Sequence, residues 1–547
     1  MDNRLAGEIN DTFFARFVRK VNRYDRRCVN VTVTVTAMVF YLILLCFHEL
    51  CCDEAQAWLI ARYASYSDML FYLPHYEGHI PFLYLIYSIP AKLGLPAKPV
   101  MTVLHLLSVF AAVYLIEFRS PFPNIVRIVL PFMYFFLHPA LLARPYILLI
   151  ATVFMAAVLY NRRDEMPVRY TLTLMLMCMT HLYGIVIAGG IALEWVIASG
   201  SRLFTSNRRR LLCLAVLAVF AAAVVSLIIP AKDIYLSSRD GSQSYPVTLI
   251  KFLIYIPSEV LFTNFISPGV SFQTSQISLF RTSVSFILSG LIWVSLIRYC
   301  AVRKRLAACL IPIATFSLVG AYYIFSYHFA FLFMLFVYSV WICSGAEKNG
   351  SAHRTSLSCR LINGAVFALI VLISSGWSMF AVFTEITSDY DAGKSVAEWI
   401  VENNLQNLRC LGAWDVTDGN FTSDEYVTNS INAYMGRPLC YNLVNDRPYI
   451  IWRCNTPEQS SEQIQKWAGM GTPDMIITGN GEDNLRAVTD ELGIDNDYVL
   501  VYCRAGRAFY KTTYEKFGDF VWLRKDLADT LGITPELSDY NEIYGVT

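Results

Sequence analysis

The stretch CCDEAQAWLIARYASYSDMLFYLPHYEGHIP places Asp53 and Glu54, then Glu77 and His79, directly after a long apolar run. Carboxylates and imidazoles are the side chains that take and give protons near neutral pH. Asp53 with Gln56 three residues on has capping-box spacing, which predicts that Asp53 caps a helix AQAWLIARY. Asp53 is also a candidate general base beside Trp58, read as facing lipid, because a carboxylate drawn out of water holds a proton more readily. The two roles are compatible. In YEGHIP, Gly78 permits a sharp turn and Pro81 can open the next helix, which would aim Glu77 and His79 out of an apolar neighbourhood. The ordinary alternative is a solvated loop.

Further along, Arg144 interrupts ALLARPYILL together with Pro145. An arginine there either snorkels to water or grips a phosphate with two parallel hydrogen bonds. His181 in THLYG and His328 in SYHFAF each read, alone, as a satisfied histidine at a helix end. An ionisable group inside a bilayer costs about 2.5–3.5 kcal/mol, and less at the boundary, so burial cost does not mark these two as functional. Lys232 and Arg239 in AKDIYLSSRDGSQSYP are candidates to close over an anionic head group, though a solvated loop is the commoner fate. Glu117 and Glu194 are assigned no role.

These residues must be positioned by membrane helices. Of 547 residues, 55% are hydrophobic and 16% charged, against about a quarter charged in a soluble domain. A net charge of +1 gives no bulk attraction to nucleic acid. Apolar runs predict eleven crossings, at Val29–Leu50, Val100–Ile116, Ile125–Leu142, Tyr146–Tyr160, Tyr170–Leu182, Ile185–Ala198, Leu211–Pro230, Thr282–Ile297, Leu306–Phe325, Phe329–Cys343 and Leu361–Phe383. The basic N-terminal segment 1–28 and the connections FRSPFPNIVR, NRRDEMPVR, SRLFTSNRRR, RYCAVRKR and EKNGSAHRTSLSCR then share the cytoplasmic side. IPFLYLIYSIPAKLGL and VTLIKFLIYIPSEVLFTNFI are read as lying flat on the outer surface, since counting either alone as a crossing would move arginines outside.

The domain plan is therefore a transmembrane unit over 29–384, with a catalytic outer loop 51–99, followed by an outer domain over 385–547. In the latter, helices in GKSVAEWIVENN, EQSSEQIQKWAG and EDNLRAVTDELG alternate with strands in RCLGAWD, PDMIITGNG and DYVLVYC, predicting a small α/β fold. Cys410, Cys440, Cys454 and Cys503 are disulfide candidates there, and Asn420-Phe421-Thr422 is a sequon in a eukaryotic host. The fourteen cysteines show no CxxC and no His/Cys ligand spacing, so zinc has no support.

The opening loop, with an apolar helix followed at once by Asp-Glu and then EGHIP, resembles the C-type (GT-C) integral-membrane glycosyltransferases, the group of protein O-mannosyltransferases and bacterial aminoarabinose transferases. ARPY, THLYG and YHFAFLF are similar to an uncharacterised bacterial-type branch of that superfamily in order and spacing. The resemblance implies inverting transfer of a sugar from a polyprenyl- or dolichyl-phosphate donor to a glycan, lipid or protein acceptor. It further implies Asp53 as base and Glu54 as accessory acid or helix-orienting group. Glu77 and His79 would line the pocket and Arg144 would hold the donor phosphate. Tyr146 of ARPY, His181 and His328, with Lys232 and Arg239 of the outer loop, complete the candidate substrate-binding set. Tyr327 stands where the branch tends to show Arg, and Ile80 follows His79 where the O-mannosyltransferases have Pro, so their substrate is not implied. No cofactor is required, and a divalent metal has no support. The membrane would be the bacterial inner membrane, or the endoplasmic reticulum in a eukaryote. The alternatives from other classes are a transporter or flippase of lipid-linked saccharides and a catalytically inactive relative acting as a binding protein.

Overall fold

A computed structural model describes all residues except 1–12, 201–207, 235–243, 267–276, 348–356, 414–424, 440–446, 454–455, 480, 541–542 and 544–547. The described chain is mostly helical, with one small sheet near its C-terminus. Seven helices are long and apolar enough to cross a membrane: Arg26–Phe47, Ala97–Arg119, Leu182–Ser199, Arg208–Leu227, Leu279–Val302, Ser326–Gly345 and Gly364–Thr387. An eighth candidate is broken, Asn124–Phe132 and Tyr134–Leu141 meeting at 45°. Val219, Phe286, Leu291, Leu372 and Met379 all face outward, as lipid-contacting side chains do.

The remaining expected crossings are shorter. Tyr146–Arg162 and Leu306–Tyr322 are apolar helices below spanning length. The crossing expected at Tyr170–Leu182 is the twelve-residue helix Pro167–Cys178. At 1.5 Å per residue it covers about 18 Å, against roughly 30 Å of hydrocarbon. The first helix ends at Phe47, so His48, Glu49 and Leu50 lie beyond it rather than within a crossing.

The elements of the first loop settle how its acids are aimed. The DEAQAW helix runs Cys52–Tyr63 with Cys51 as its N-cap, and Glu54 accepts the Cys51 N–H at 3.0 Å. The expected cap by Asp53 is thus corrected: the reciprocal acid is Glu54, because the helix starts earlier than the AQAW pattern suggests. Gln56 takes no part in the cap. Trp58 is corrected too; it is fully buried and packs on Tyr87, 6.2 Å between ring centres. Gly78 ends the short helix Pro74–Glu77 at φ +62°, a left-handed conformation that favours glycine, and Pro81 is the N-cap of Phe82–Lys92. That eleven-residue helix buries Tyr84, Tyr87, Ser88 and Ala91, and Lys92 Nζ donates to the Ala64 carbonyl at 2.7 Å.

The helix Tyr245–Leu261 packs across the helix Leu279–Val302, where Ser289 Oγ donates to Ile254 O and Trp293 Nε1 to Leu253 O.

The C-terminal region is an α/β unit of four strands, β1 (Cys410–Ala413), β2 (Met475–Thr478), β3 (Tyr498–Tyr510) and β4 (Thr513–Arg524), in the order β1-β2-β4-β3. β1 and β2 are parallel, and β4 is antiparallel to both of its neighbours. Alternation sorts the strand residues: Met475 and Ile477 pack with Val396, Ile400 and Ile431, whereas Ile476 packs with Leu485, Val488 and Trp467. Cys410 and Cys503 bury against opposite faces, on the two edge strands with two strands between them, and cannot pair with each other. Cys440, Cys454, Asn420 and Arg239 lie outside the described residues. β4 and the helix Glu425–Tyr434 were not expected from sequence.

Candidate functional site

The geometry of the opening loop starts from His48, one residue past the first helix. Its Nδ1 meets Glu385 Oε1 at 2.8 Å and its Nε2 meets Glu54 Oε2 at 3.0 Å. Both ion pairs are sealed from solvent. One side chain thereby ties together the end of the first helix, the start of the DEAQAW helix and the end of the last apolar helix. Burial opposes a charge on His48, but the Glu385 and Glu54 carboxylates outweigh it and raise its pKa to about 10. Burial likewise pushes Glu54 upward, and the His48 charge overrides that, holding it at about 2.

Glu54 has a third partner, the Ala143 N–H, at 2.6 Å to Oε1. Adjacent residues on each side are consequently brought together: Asp53 beside Arg144. Arg144 sits in a tight turn, its N–H donating to Leu142 O at 2.7 Å, just before the helix Tyr146–Leu159. Its Nη1 donates to the Asp53 carbonyl at 2.6 Å, and its Nη2 stands 4.0 Å from Asp53 Oδ2. The two ends of this pair differ sharply in exposure, 4% for the arginine side chain and 47% for the aspartate. Burial opposes the Arg144 charge, yet Asp53 outweighs it and keeps the guanidinium protonated.

His79 contacts Arg144 Nη2 through Nε2. A guanidinium only donates, so Nε2 must hold the lone pair and the proton lies on Nδ1. Burial, with Arg144 close by, holds His79 well below the usual histidine range, so the ring is neutral. Nδ1 is buried without a partner, as is Nε of Arg144. Two donors are therefore left without an acceptor beside an open carboxylate, a state that an anion would relieve.

Glu77 lies within electrostatic reach of Asp53 and Arg144. Gln56 Nε2 donates to Glu77 Oε1 at 2.7 Å, and Tyr84 OH to Oε2 at 3.4 Å. Burial raises Glu77 to about 7, opposed by the Gln56 hydrogen bond and by Arg144. Gln56 also donates to Ile450 O at 2.7 Å and accepts from Asn429 Nδ2 at 2.9 Å and Ile450 N at 3.0 Å. Two residues of the C-terminal region, Asn429 and Ile450, thus contribute to this site.

Below Arg144 lies an aromatic floor. His79 and His181 ring centres are 5.4 Å apart, and His181 and His328 5.2 Å apart. Tyr146 packs on His181 and His328 and stacks on Tyr327. The Nδ1 atoms of His181 and His328 accept the backbone N–H groups of Tyr183 and Phe325, each at 3.2 Å. The fold therefore gathers Asp53, Glu54, Glu77, His79, Arg144, Tyr146, His181 and His328 into one region. Lys232 is exposed on a segment joined to the loop through neighbours, Tyr76 OH donating to Asp233 Oδ1 at 3.0 Å and Ala231 N to His75 O at 3.1 Å.

Sequence reasoning missed His48, Gln56, Glu385, Asn429 and Ile450. HELCCDEAQ did carry a signal, a histidine next to three acids at the end of an apolar run. Nothing in the local pattern of Asn429 or Ile450 marks them.

No family model matches this chain, and no curated protein does. Among solved structures, ArnT from Cupriavidus metallidurans bound to undecaprenyl phosphate overlays with a TM-score of 0.46 at 13% identity, covering 90% of this chain and 97% of ArnT. At that level the overlay is a likeness, and it assigns neither a residue role nor a substrate to this chain.

Proposed function

We propose that this chain is an inverting membrane glycosyltransferase that moves a sugar from a polyprenyl-phosphate donor to an acceptor at the outer membrane face. The observation that carries this reading is the pairing of a half-exposed Asp53 carboxylate with a buried Arg144 guanidinium at the end of the bundle remote from the basic connections. Asp53 takes the proton of an acceptor hydroxyl or amine, and the freed lone pair attacks the anomeric carbon. The bond from that carbon to the lipid phosphate breaks on the opposite side, and the phosphate leaves with the electron pair. Lipid phosphate is a good leaving group, so the protein needs orientation, a base and positive charge more than covalent chemistry. Arg144 supplies the charge, and the idle N–H groups of Arg144 Nε and His79 Nδ1 are suited to phosphate oxygens. Glu54 and His48 act through Asp53 and Arg144, fixing the separation of the two. The distribution of basic connections supports an opposite end in the cytoplasm and this one outside.

The reading is tested with the full chain in proteoliposomes containing a polyprenyl phosphate that carries a radiolabelled sugar, with a membrane extract as acceptor. Asp53→Asn should cut transfer by roughly 10²–10⁴-fold while leaving thermal unfolding near that of the wild type. Full activity in a folded Asn variant would defeat the assignment.

A further inference from the structure

A cluster remote from that site brings three cysteines together. Cys300 lies two residues before the end of the helix Leu279–Val302, Cys309 three residues after the start of Leu306–Tyr322, and Cys343 four residues before the end of Phe329–Glu347. All three are fully buried. Their Sγ atoms lie within 4.8 Å of one another, and those of Cys309 and Cys343 are 3.7 Å apart. A shared ion with bonds of about 2.3 Å holds two sulfurs about 3.8–4.0 Å apart, so the spacing already suits one ion. Thiols also pack as small apolar groups. Simple packing, however, has no reason to draw one sulfur from each of three helices to a common point.

From this juxtaposition we infer that Cys300, Cys309 and Cys343 form a buried three-thiolate site for a soft monovalent ion, Cu(I). Among the described residues no histidine, carboxylate or fourth cysteine joins the group. Zinc fills four positions, and among the described residues only three ligands meet here. Cu(I) favours thiolates and is content with low coordination. Each ligating thiol gives its proton to water as the ion binds. The resulting negative charge faces Arg303, whose guanidinium lies over Tyr299 at 3.7 Å and within Coulombic reach of Cys300 and Cys343. The cluster is within about one helical turn of the helix ends, at the bundle end of the basic connections, so an ion need not travel through the hydrocarbon to reach it.

The experiment uses the full chain in detergent, reduced and stripped of metal, titrated with Cu(I) against a chromophoric Cu(I) chelator. The wild type should hold one more Cu(I) per chain than a Cys300→Ala, Cys309→Ala, Cys343→Ala triple variant, with thiolate-to-copper absorption in the ultraviolet. Cys309→Ser, which keeps the side-chain size but loses the soft donor, should weaken binding by roughly 100-fold or more and retain the fold if the triple variant does not. Equal copper in the wild type and these variants would mean thiol packing only and overturn the site. Displacement of Cu(I) by equimolar Zn(II) would overturn the choice of ion.

Discussion

Two buried arginines at opposite ends of the bundle are each set beside a carboxylate, and they do different things. Arg163 Nη2 meets Glu194 at 3.3 Å, and that carboxylate is only 5% exposed, closed over by Tyr160, whose OH donates to it at 3.0 Å. Around it the basic connections interlock: Arg210 binds Asp164 at 3.0 Å, and Arg305 donates to Asn161 at 3.0 Å. Arg144 instead meets an acid that is half in solvent, and a neutral histidine contacts its guanidinium. The same pair of residue types is a structural clasp when both members are sealed. It becomes a candidate reaction centre when one member stays open and the other is held rigid from behind.

The contrast can be broken most directly by comparing Arg144→Ala with Arg163→Ala. The first should lower sugar transfer by roughly 10²–10³-fold, as loss of a charge-stabilising donor does. The second should change transfer by no more than about twofold and appear in the melting temperature instead. Equal loss of activity in both would erase the distinction.

Next in size is His48→Ala, which strands Glu54 and Glu385 in the interior and should cost about 3–5 kcal/mol in thermal unfolding. The pH behaviour of that cluster follows from its shifts. The His48 contribution is complete below its ordinary value of 6.5 and is lost as pH rises through about 10. That of Glu54 is complete above 4.5 and is lost as pH falls through about 2. The cluster thus loses stability as pH rises from about 6.5 towards about 10, a window that includes physiological pH, and a His48→Ala chain should lose that slope.

Gln56→Ala removes bonds to Glu77, Asn429 and Ile450 at once and should cost about 2 kcal/mol, read from unfolding of the full chain. The smallest effect concerns Glu77. Its carboxyl is raised from 4.5 to about 7, so the folded state binds the extra proton and stability falls as pH rises between those values. Glu77→Gln should flatten that slope, and an unchanged slope would show that Glu77 does not titrate there.

Much of this was legible in the sequence. The apolar runs, the soluble-type C-terminal region and the EGHIP turn are local patterns, and periodicity and turn chemistry report them well. The capping error at Asp53 arose from a choice of start point: Asp53…Gln56 and Cys51…Glu54 compete for the same helix, and burial of Glu54 against His48 decides it. Pro167–Cys178 reads as a crossing in sequence because a short buried helix can be as apolar as a spanning one. Gln56, Asn429 and Ile450 were invisible for another reason, since their bonds join residues more than 370 positions apart. The cysteine triad hid in the same way, spread over three helices with no ligand spacing.

The hairpin between β3 and β4 ends on Lys511, which is buried and donates through Nζ to Glu259 Oε1 at 2.8 Å and to the Glu259 carbonyl at 2.6 Å. Its backbone N–H binds Tyr134 OH at 2.8 Å, and its ammonium lies over Trp377. A ribosome delivers Asp53 and Arg144 to the membrane hundreds of residues before it delivers this plug. Until Lys511 is made Glu259 lacks this cation, and until Asn429 and Ile450 are made Gln56 lacks these partners. The last apolar helix ends at Thr387, so every apolar helix is made before these residues that bind Glu259 and Gln56.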